Sequence, residues 1–251
     1  MPTVERVAAD YARDLLPVLP PSPAVCAVCG TGPVAGRRCL PCTRAALALA
    51  APADAVSAVA LAVKGGRLAR DLAAYKQPEN VAARARVAAL LWRWLLGHEA
   101  CLAAGAGAAA FDLVTTVPSL SGRRWHPLAD VVGRICAPSR GRYRPLLVPG
   151  PAGAAPLSDR RFTPLTPCTG RSVLVVDDTW TSGAHAQSAA SALHLAGAAT
   201  VAVLAVGRHF HPDPPPPYRA GAQGYLLRAA RVGWSWEACR HCRGAATRVA
   251  G

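Results

Sequence analysis

The stretch from Arg171 to Gly183, RSVLVVDDTWTSG, leaves this chain few ways to fold. Val173 to Val176 form an apolar run with the length and β-branched content of a buried parallel strand, and they lead directly into Asp177 and Asp178. After Thr179, Trp180, Thr181, Ser182 and Gly183 comes AHAQSAASALHLAG, in which Ala186, Ala189, Ala190, Leu193 and Ala196 share one helical face and Gly197 supplies the stop. The pattern is a strand, a hydroxyl-and-glycine loop and a helix N-terminus, and it predicts an α/β protein with an open parallel sheet flanked by helices. The loop offers backbone N–H groups, hydroxyls and the positive end of a helix dipole, all suited to a phosphate. Two carboxylates beside it would repel that phosphate. A ligand that satisfies both halves carries an anion at one end and hydrogen-bond donors a few ångströms away. A ribose 5-phosphate does so, with its vicinal hydroxyls on Asp177 and Asp178 and its phosphate on Thr179 to Gly183.

At 251 residues the chain can hold one large α/β core with an appendage. Lys plus Arg number 28 against 14 Asp plus Glu, a formal charge of +14, and lysine occurs only at Lys64 and Lys76. Such a balance attracts polyanions, whether nucleic acid or phosphorylated small molecules. A GC-rich genome would also enrich Arg, Ala, Gly and Pro together, and basic runs do not exceed two residues, which argues against a dedicated nucleic-acid arm. Glu5, Asp10 and Asp14 stand where a signal peptide would be basic and then apolar. The alanine-rich runs fall short of the ~20 apolar residues that span a bilayer. The expected location is the cytoplasm, with no membrane span.

Near the amino terminus, Cys26-Ala-Val-Cys29 and Cys39-Leu-Pro-Cys42 make two CxxC knuckles separated by nine residues, with Gly30, Gly32 and Gly36 between them. Four thiolates from two tight turns suit a tetrahedral, structural zinc with no open position. Residues 1–50 are accordingly expected to form a helix and zinc-knuckle module able to dock a protein partner. Residues 51–251 would form the main domain.

Within that domain an extended piece near Leu61, the Gly65-Gly66 break and a helix bearing Leu68, Leu72 and Tyr75 are predicted, with Val81 to Leu96 as the longest helix. Lys64 and Lys76 read as surface charge. Phe111 to Val117 reads as a second buried strand. It ends at Pro118 and Ser119, so a loop running to Arg123 and Arg124 would face the Asp177–Gly183 loop across the sheet crest, able to hold a second anionic group. Leu128 to Cys136 is helical in pattern. The proline- and arginine-rich segment 137–170 predicts a mobile lid with a strand around Tyr143 to Val148, and Ala199 to Val206 is the next buried strand. The tail is expected to be irregular. It carries Cys239-Arg-His-Cys242, whose thiols are either unpaired or joined in a metal site by His209 and His211; Cys101, Cys136 and Cys168 read as buried apolar thiols.

The paired knuckles, the segment around Lys64 to Lys76, the VTTVPS strand end and VLVVDDTWTSG together resemble the ComF family of phosphoribosyltransferase-like proteins. The likeness covers most of residues 15 to 207. Where such proteins carry an RGFNQ-like segment this chain reads Arg123-Arg-Trp-His-Pro, and their TTG is here Thr181-Ser-Gly183. The resemblance implies a type I phosphoribosyltransferase fold with phosphoribosyl pyrophosphate or a nucleoside monophosphate as ligand and magnesium travelling with the diphosphate. It implies transfer of a phosphoribosyl group to an unspecified acceptor, with Asp177 and Asp178 at the ribose and Pro118, Ser119, Arg123 and Arg124 around the diphosphate. The alternative it implies is a non-catalytic ligand sensor or competence protein for DNA uptake, binding single-stranded nucleic acid. The sequence contains neither GxxxxGK[ST] nor HExxH, so nucleotide hydrolysis and zinc proteolysis lack their motifs.

Overall fold

A computed structural model describes residues 3–120, 125–215 and 219–242. Its centre is a four-stranded, fully parallel sheet of β1 (Ala55–Val63), β6 (Thr200–Phe210), β5 (Ser172–Trp180) and β2 (Leu113–Thr116), in that spatial order. Alternation along the strands divides two cores, as the period-2 geometry of a strand requires. Val173 and Val175 of β5 and Val201, Val203 and Ala205 of β6 face one core, while Leu174 and Val176, with Ala202, Leu204 and Val206, face the other.

The second core is covered by α1 (Val4–Ala12), α3 (Arg67–Ala74), α4 (Val81–Gly105), the short α5 (Pro127–Asp130) and a π-helical turn at Val131–Ile135, which contribute Tyr11, Leu68, Leu72, Leu90, Leu91, Trp94, Leu128 and Val131. On the opposite face α7 (Ala184–Leu195) lays down Ala186, Ala189, Ala190 and Leu193. Its small side chains let helix and sheet approach closely. The crossover β1–α3–α4–β2 therefore lies on one face and β5–α7–β6 on the other. Where neighbouring connections diverge in this way, a crevice opens at the strand carboxyl ends. Here it opens between β2 and β5.

Several expectations need correction. Helix α4 runs to Gly105, nine residues beyond the expected Leu96, because Gly97 is tolerated in a helix whose buried face continues through His98 and Leu102. Strand β6 extends to Phe210. Segment 137–170 holds more than the single strand expected around Tyr143 to Val148: it carries α6 (Ala137–Arg140) and a small antiparallel ribbon of β3 (Leu147–Pro149) and β4 (Phe162–Pro164). Asp159 ties it down by accepting from Ser191 Oγ at 2.5 Å and Ala50 N at 3.2 Å, and Ser158 N donates to Ser188 Oγ of α7 at 3.0 Å. Ahead of the tail stands a helix that the sequence reading did not foresee: α8 (Arg219–Val232) packs Ala222, Tyr225 and Ala229 into the first core, while residues 233–242 that follow it form no helix or strand. Two glycines in that helix and the preceding prolines hid its periodicity.

The amino-terminal knuckle is no separate body. Cys26, Cys29 and Cys42, the last in the first turn of α2 (Leu40–Ala48), share one buried cluster with Trp180, Phe210 and Tyr225. Tyr225 closes the joint: its hydroxyl donates to Gly30 O at 2.6 Å and accepts from Leu19 N at 3.2 Å. No helix among the described residues is long and apolar enough to cross a membrane.

Candidate functional site

Strand β2 ends at Thr116, which is in register with Val176, and Pro118 cannot donate to a ladder. Strand β5 continues past that point, paired with β6 alone. Asp177 to Trp180 are therefore bordered on one side by the strand end Val117–Leu120 and not by another strand. A cavity of ≈ 380 Å³ occupies the gap, lined among others by Tyr75, Lys76, Pro118, Ser119, Asp177, Asp178 and Thr179. The structure thus brings Pro118 and Ser119 to the acidic pair. Arg123 and Arg124, expected in the same loop, lie outside the described residues.

The expected loop shortens at its start. Thr179 and Trp180 are strand residues because their register with Gly207 and Arg208 continues the β5–β6 ladder. Thr179 lines the cavity, but the Trp180 side chain is 1 % exposed and packs beneath Gly183, so it is removed from the ligand-facing set. The turn itself is Thr181, Ser182 and Gly183. Thr181 and Ser182 are exposed, and Gly183 adopts φ 79°, a left-handed conformation that favours glycine, immediately before α7. An added Cβ there would overlap the Trp180 indole. Arg208, buried in β6, braces the turn by donating to Trp180 O at 2.9 Å and Thr181 O at 3.1 Å.

Asp178 accepts from the Tyr75 hydroxyl at 2.7 Å and pairs with Lys76 Nζ at 2.7 Å. Asp177 Oδ1 accepts from Asp178 N at 2.9 Å. Burial, and secondarily the charge of Asp178, raise the Asp177 carboxyl to a pKa of about 7. Both acids remain half-buried and open to the cavity. Sequence reasoning missed Tyr75 and Lys76 as site residues. The signal was a lysine in a chain with only two, next to an aromatic at the end of an amphipathic helix. His126, which occupies the place of an expected polar segment, supports the strand end: its Nε2 contacts Val117 O at 3.0 Å, and Nδ1 accepts from Ala129 N at 3.0 Å. Burial of the ring lowers its pKa, an effect that the contact with Val117 O and the charge of Asp178 partly offset.

The four knuckle cysteines converge, with their Sγ atoms all within 4.8 Å of one another. Cys29 and Cys39 sulfurs lie 3.7 Å apart, close to the roughly 3.8 Å that two ligands of a tetrahedral zinc at ~2.3 Å would subtend. The turn is tight: Cys26 N donates to Thr31 O, and Gly30 sits at φ 68° with Val18 where its Cβ would be. The quartet cannot ionise fully unaided. Hydrogen bonds from Cys29, Cys39 and Cys42 pull the Cys26 thiol down, whereas bonding to Cys26 and Cys29, together with burial, pushes Cys39 and Cys42 far up. A divalent cation resolves that conflict, and this donor set could hold zinc. Arg208 reaches it too, with Nη2 3.8 Å from Cys29 Sγ, so one guanidinium bridges the knuckle and the Thr181 turn.

His209 and His211 do not join the tail cysteines. Their strand end carries them toward Lys64, whose Nζ lies 3.3 Å from His211 Nε2. Comparison of the chain with protein-family models, curated proteins and solved structures returned no match.

Proposed function

We propose that this chain is a phosphoribosyltransferase-like protein of the type I fold, akin to the ComF family, that binds phosphoribosyl pyrophosphate with magnesium. It transfers or exchanges the phosphoribosyl group on a nitrogenous acceptor. The observation that supports this reading is an acidic pair at the end of β5 that opens into a cavity bordered by the Pro118–Ser119 strand end and by His185 in the first turn of α7, the helix that the left-handed Gly183 opens. Acids for a diol and amides for a phosphate are the two halves such a ligand requires.

In this reading Asp177 and Asp178 accept hydrogen bonds from the ribose hydroxyls and lie near the positive charge that develops as the anomeric C–O bond to diphosphate breaks. Thr181, Ser182 and the first amides of α7 take the 5-phosphate. The Pro118–Ser119 strand end, with Arg123 and Arg124 following in sequence, borders the leaving group. Oxygen donors such as these carboxylates and the ligand's own phosphates suit magnesium, which when bound neutralises diphosphate charge. The acceptor nitrogen forms the new bond to the anomeric carbon and loses a proton. Asp177, near neutrality in its pKa, is matched to receive it.

Diphosphate release from phosphoribosyl pyrophosphate and magnesium, measured in wild type and Asp178→Asn, tests the proposal. The variant should lose on the order of 10²-fold in rate; equal rates would remove the acids from the chemistry. A second reading, binding without turnover, is favoured by the contacts of Asp178 with Tyr75 and Lys76, which satisfy a carboxylate the sugar would need. It predicts ligand-dependent thermal stabilisation with no diphosphate released. Its nucleic-acid form predicts single-stranded DNA binding that weakens steeply with salt.

A further inference from the structure

We propose that the protein has a second zinc site, formed by His98 and Cys101 of α4 with Cys239 and Cys242 of the tail, and that it straps the carboxyl-terminal segment onto the fold. The residues of each pair are separated by two others. On a helix that spacing puts His98 and Cys101 on one face, and in the tail it makes a knuckle turn. The four ligand atoms lie within 4.8 Å of one another although some 140 residues separate the pairs in sequence.

The spacing is that of coordination. Cys101 and Cys242 sulfurs are 3.8 Å apart, Cys239 and Cys242 sulfurs 3.5 Å, and Cys242 Sγ is 3.6 Å from His98 Nδ1. Tetrahedral zinc with Zn–S of ~2.3 Å and Zn–N of ~2.0 Å sets roughly 3.8 Å between sulfurs and roughly 3.5 Å between sulfur and nitrogen. A disulfide would need about 2.05 Å. The surroundings also fit. His98 is 4 % exposed, and its Nε2 lies 3.0 Å from Trp236 O, the contact that leaves Nδ1 as the coordinating nitrogen. Cys242 Sγ accepts from Cys239 N at 3.2 Å and Cys239 Sγ from His241 N at 3.4 Å, as sulfurs carrying negative charge do. Three thiolates and one imidazole close the shell, so this zinc is structural.

The strap has a second fastening. Arg240, between the two tail cysteines and 7 % exposed, donates to Cys26 O at 3.2 Å, Ala27 O at 3.0 Å and Val28 O at 2.6 Å, the backbone of the first knuckle. Zinc at the second site therefore fixes the guanidinium that caps the first. Gly105 makes room, since a Cβ there would stand 2.8 Å from His241 Nδ1.

Elemental analysis of the full chain should give about two zinc ions per molecule, falling to about one in Cys239→Ser/Cys242→Ser. His98→Cys guards against misfolding of that variant: it should keep about two metals, while the visible bands of its Co²⁺-loaded form shift toward those of an all-sulfur site. One zinc in wild type with the same number in the double variant would overturn the proposal. So would a Co²⁺ spectrum unchanged by His98→Cys, or a tail disulfide in the native protein. The phosphoribosyl reading is untouched by either result.

Discussion

Asp177 sits in the crest of the sheet at an energetic cost, and replacing it with asparagine should stabilise the protein in a pH-dependent way. Its carboxyl is raised from 3.8 to about 7, chiefly by burial and then by Asp178. A shift of about three pKa units corresponds to about 4 kcal/mol as an upper bound. The attraction of Lys76 and the hydrogen bond from Asp178 N are already contained in that value, so about 4 kcal/mol stands as the ceiling. The folded state holds the Asp177 proton more tightly than the unfolded chain does. Below about pH 4 both states are protonated and there is no penalty. As pH rises from about 4 to about 7 the unfolded chain releases its proton first, and stability falls. Above about 7 the whole penalty is present. Asparagine is neutral throughout, and its Oδ1 can still accept from Asp178 N. Urea unfolding of Asp177→Asn should therefore show a gain of up to about 4 kcal/mol at pH 8, about half that at pH 5.5 and close to none near pH 3.5. The same variant should lose stabilisation by phosphoribosyl pyrophosphate. A gain that is the same at every pH, or a loss at pH 8, would refute the claim that a desolvated charge is held there for a ligand.

Other positions give sharper structural readouts. Gly183→Ala forces a side chain into φ 79° and against the buried Trp180 indole, so left-handed strain and overpacking together should cost about 2–4 kcal/mol in thermal or urea unfolding; a change under about 0.5 kcal/mol would mean the turn has room it is not shown to have. Tyr225→Phe keeps the stack on Phe210 at 5.1 Å but deprives Gly30 O and Leu19 N of their buried partner. A loss of about 2–4 kcal/mol is expected, together with faster zinc loss to a chelator, since the hydroxyl holds the knuckle against the core. Unchanged metal release would separate that hydroxyl from the knuckle.

Strands β2, β5 and β6 were legible because each holds a short β-branched run, and in a sheet covered on both faces such runs need no alternation, whereas the alanine-rich β1 was read only as an extended piece near Leu61. The acidic pair and the Gly183 turn were equally plain, being contiguous. The end of β5 was not. Whether Thr179 and Trp180 are loop or strand depends on β6 offering Gly207 and Arg208 alongside, a partner some thirty residues away. Lys76 and Tyr75 escaped notice for a related reason. A lysine after a helix looks like surface until the sheet twist sets it against Asp178. In α8 the apolar spacing was interrupted by glycine, one of which, Gly221, accommodates Pro33 from the knuckle.

By itself the sequence determined what is local: strands, the acid-and-glycine turn, and the Cys26–Cys42 quartet, whose ligands lie within seventeen residues and need only two tight turns to meet. Tertiary structure alone decided which distant groups share a site. His98 and Cys101 look like ordinary helix positions, and Cys239 and Cys242 like a stray pair, until packing closes a loop of some 140 residues between them. Closing such a loop has an entropic cost that no local pattern records, offset only by the burial and bonding that the completed fold supplies.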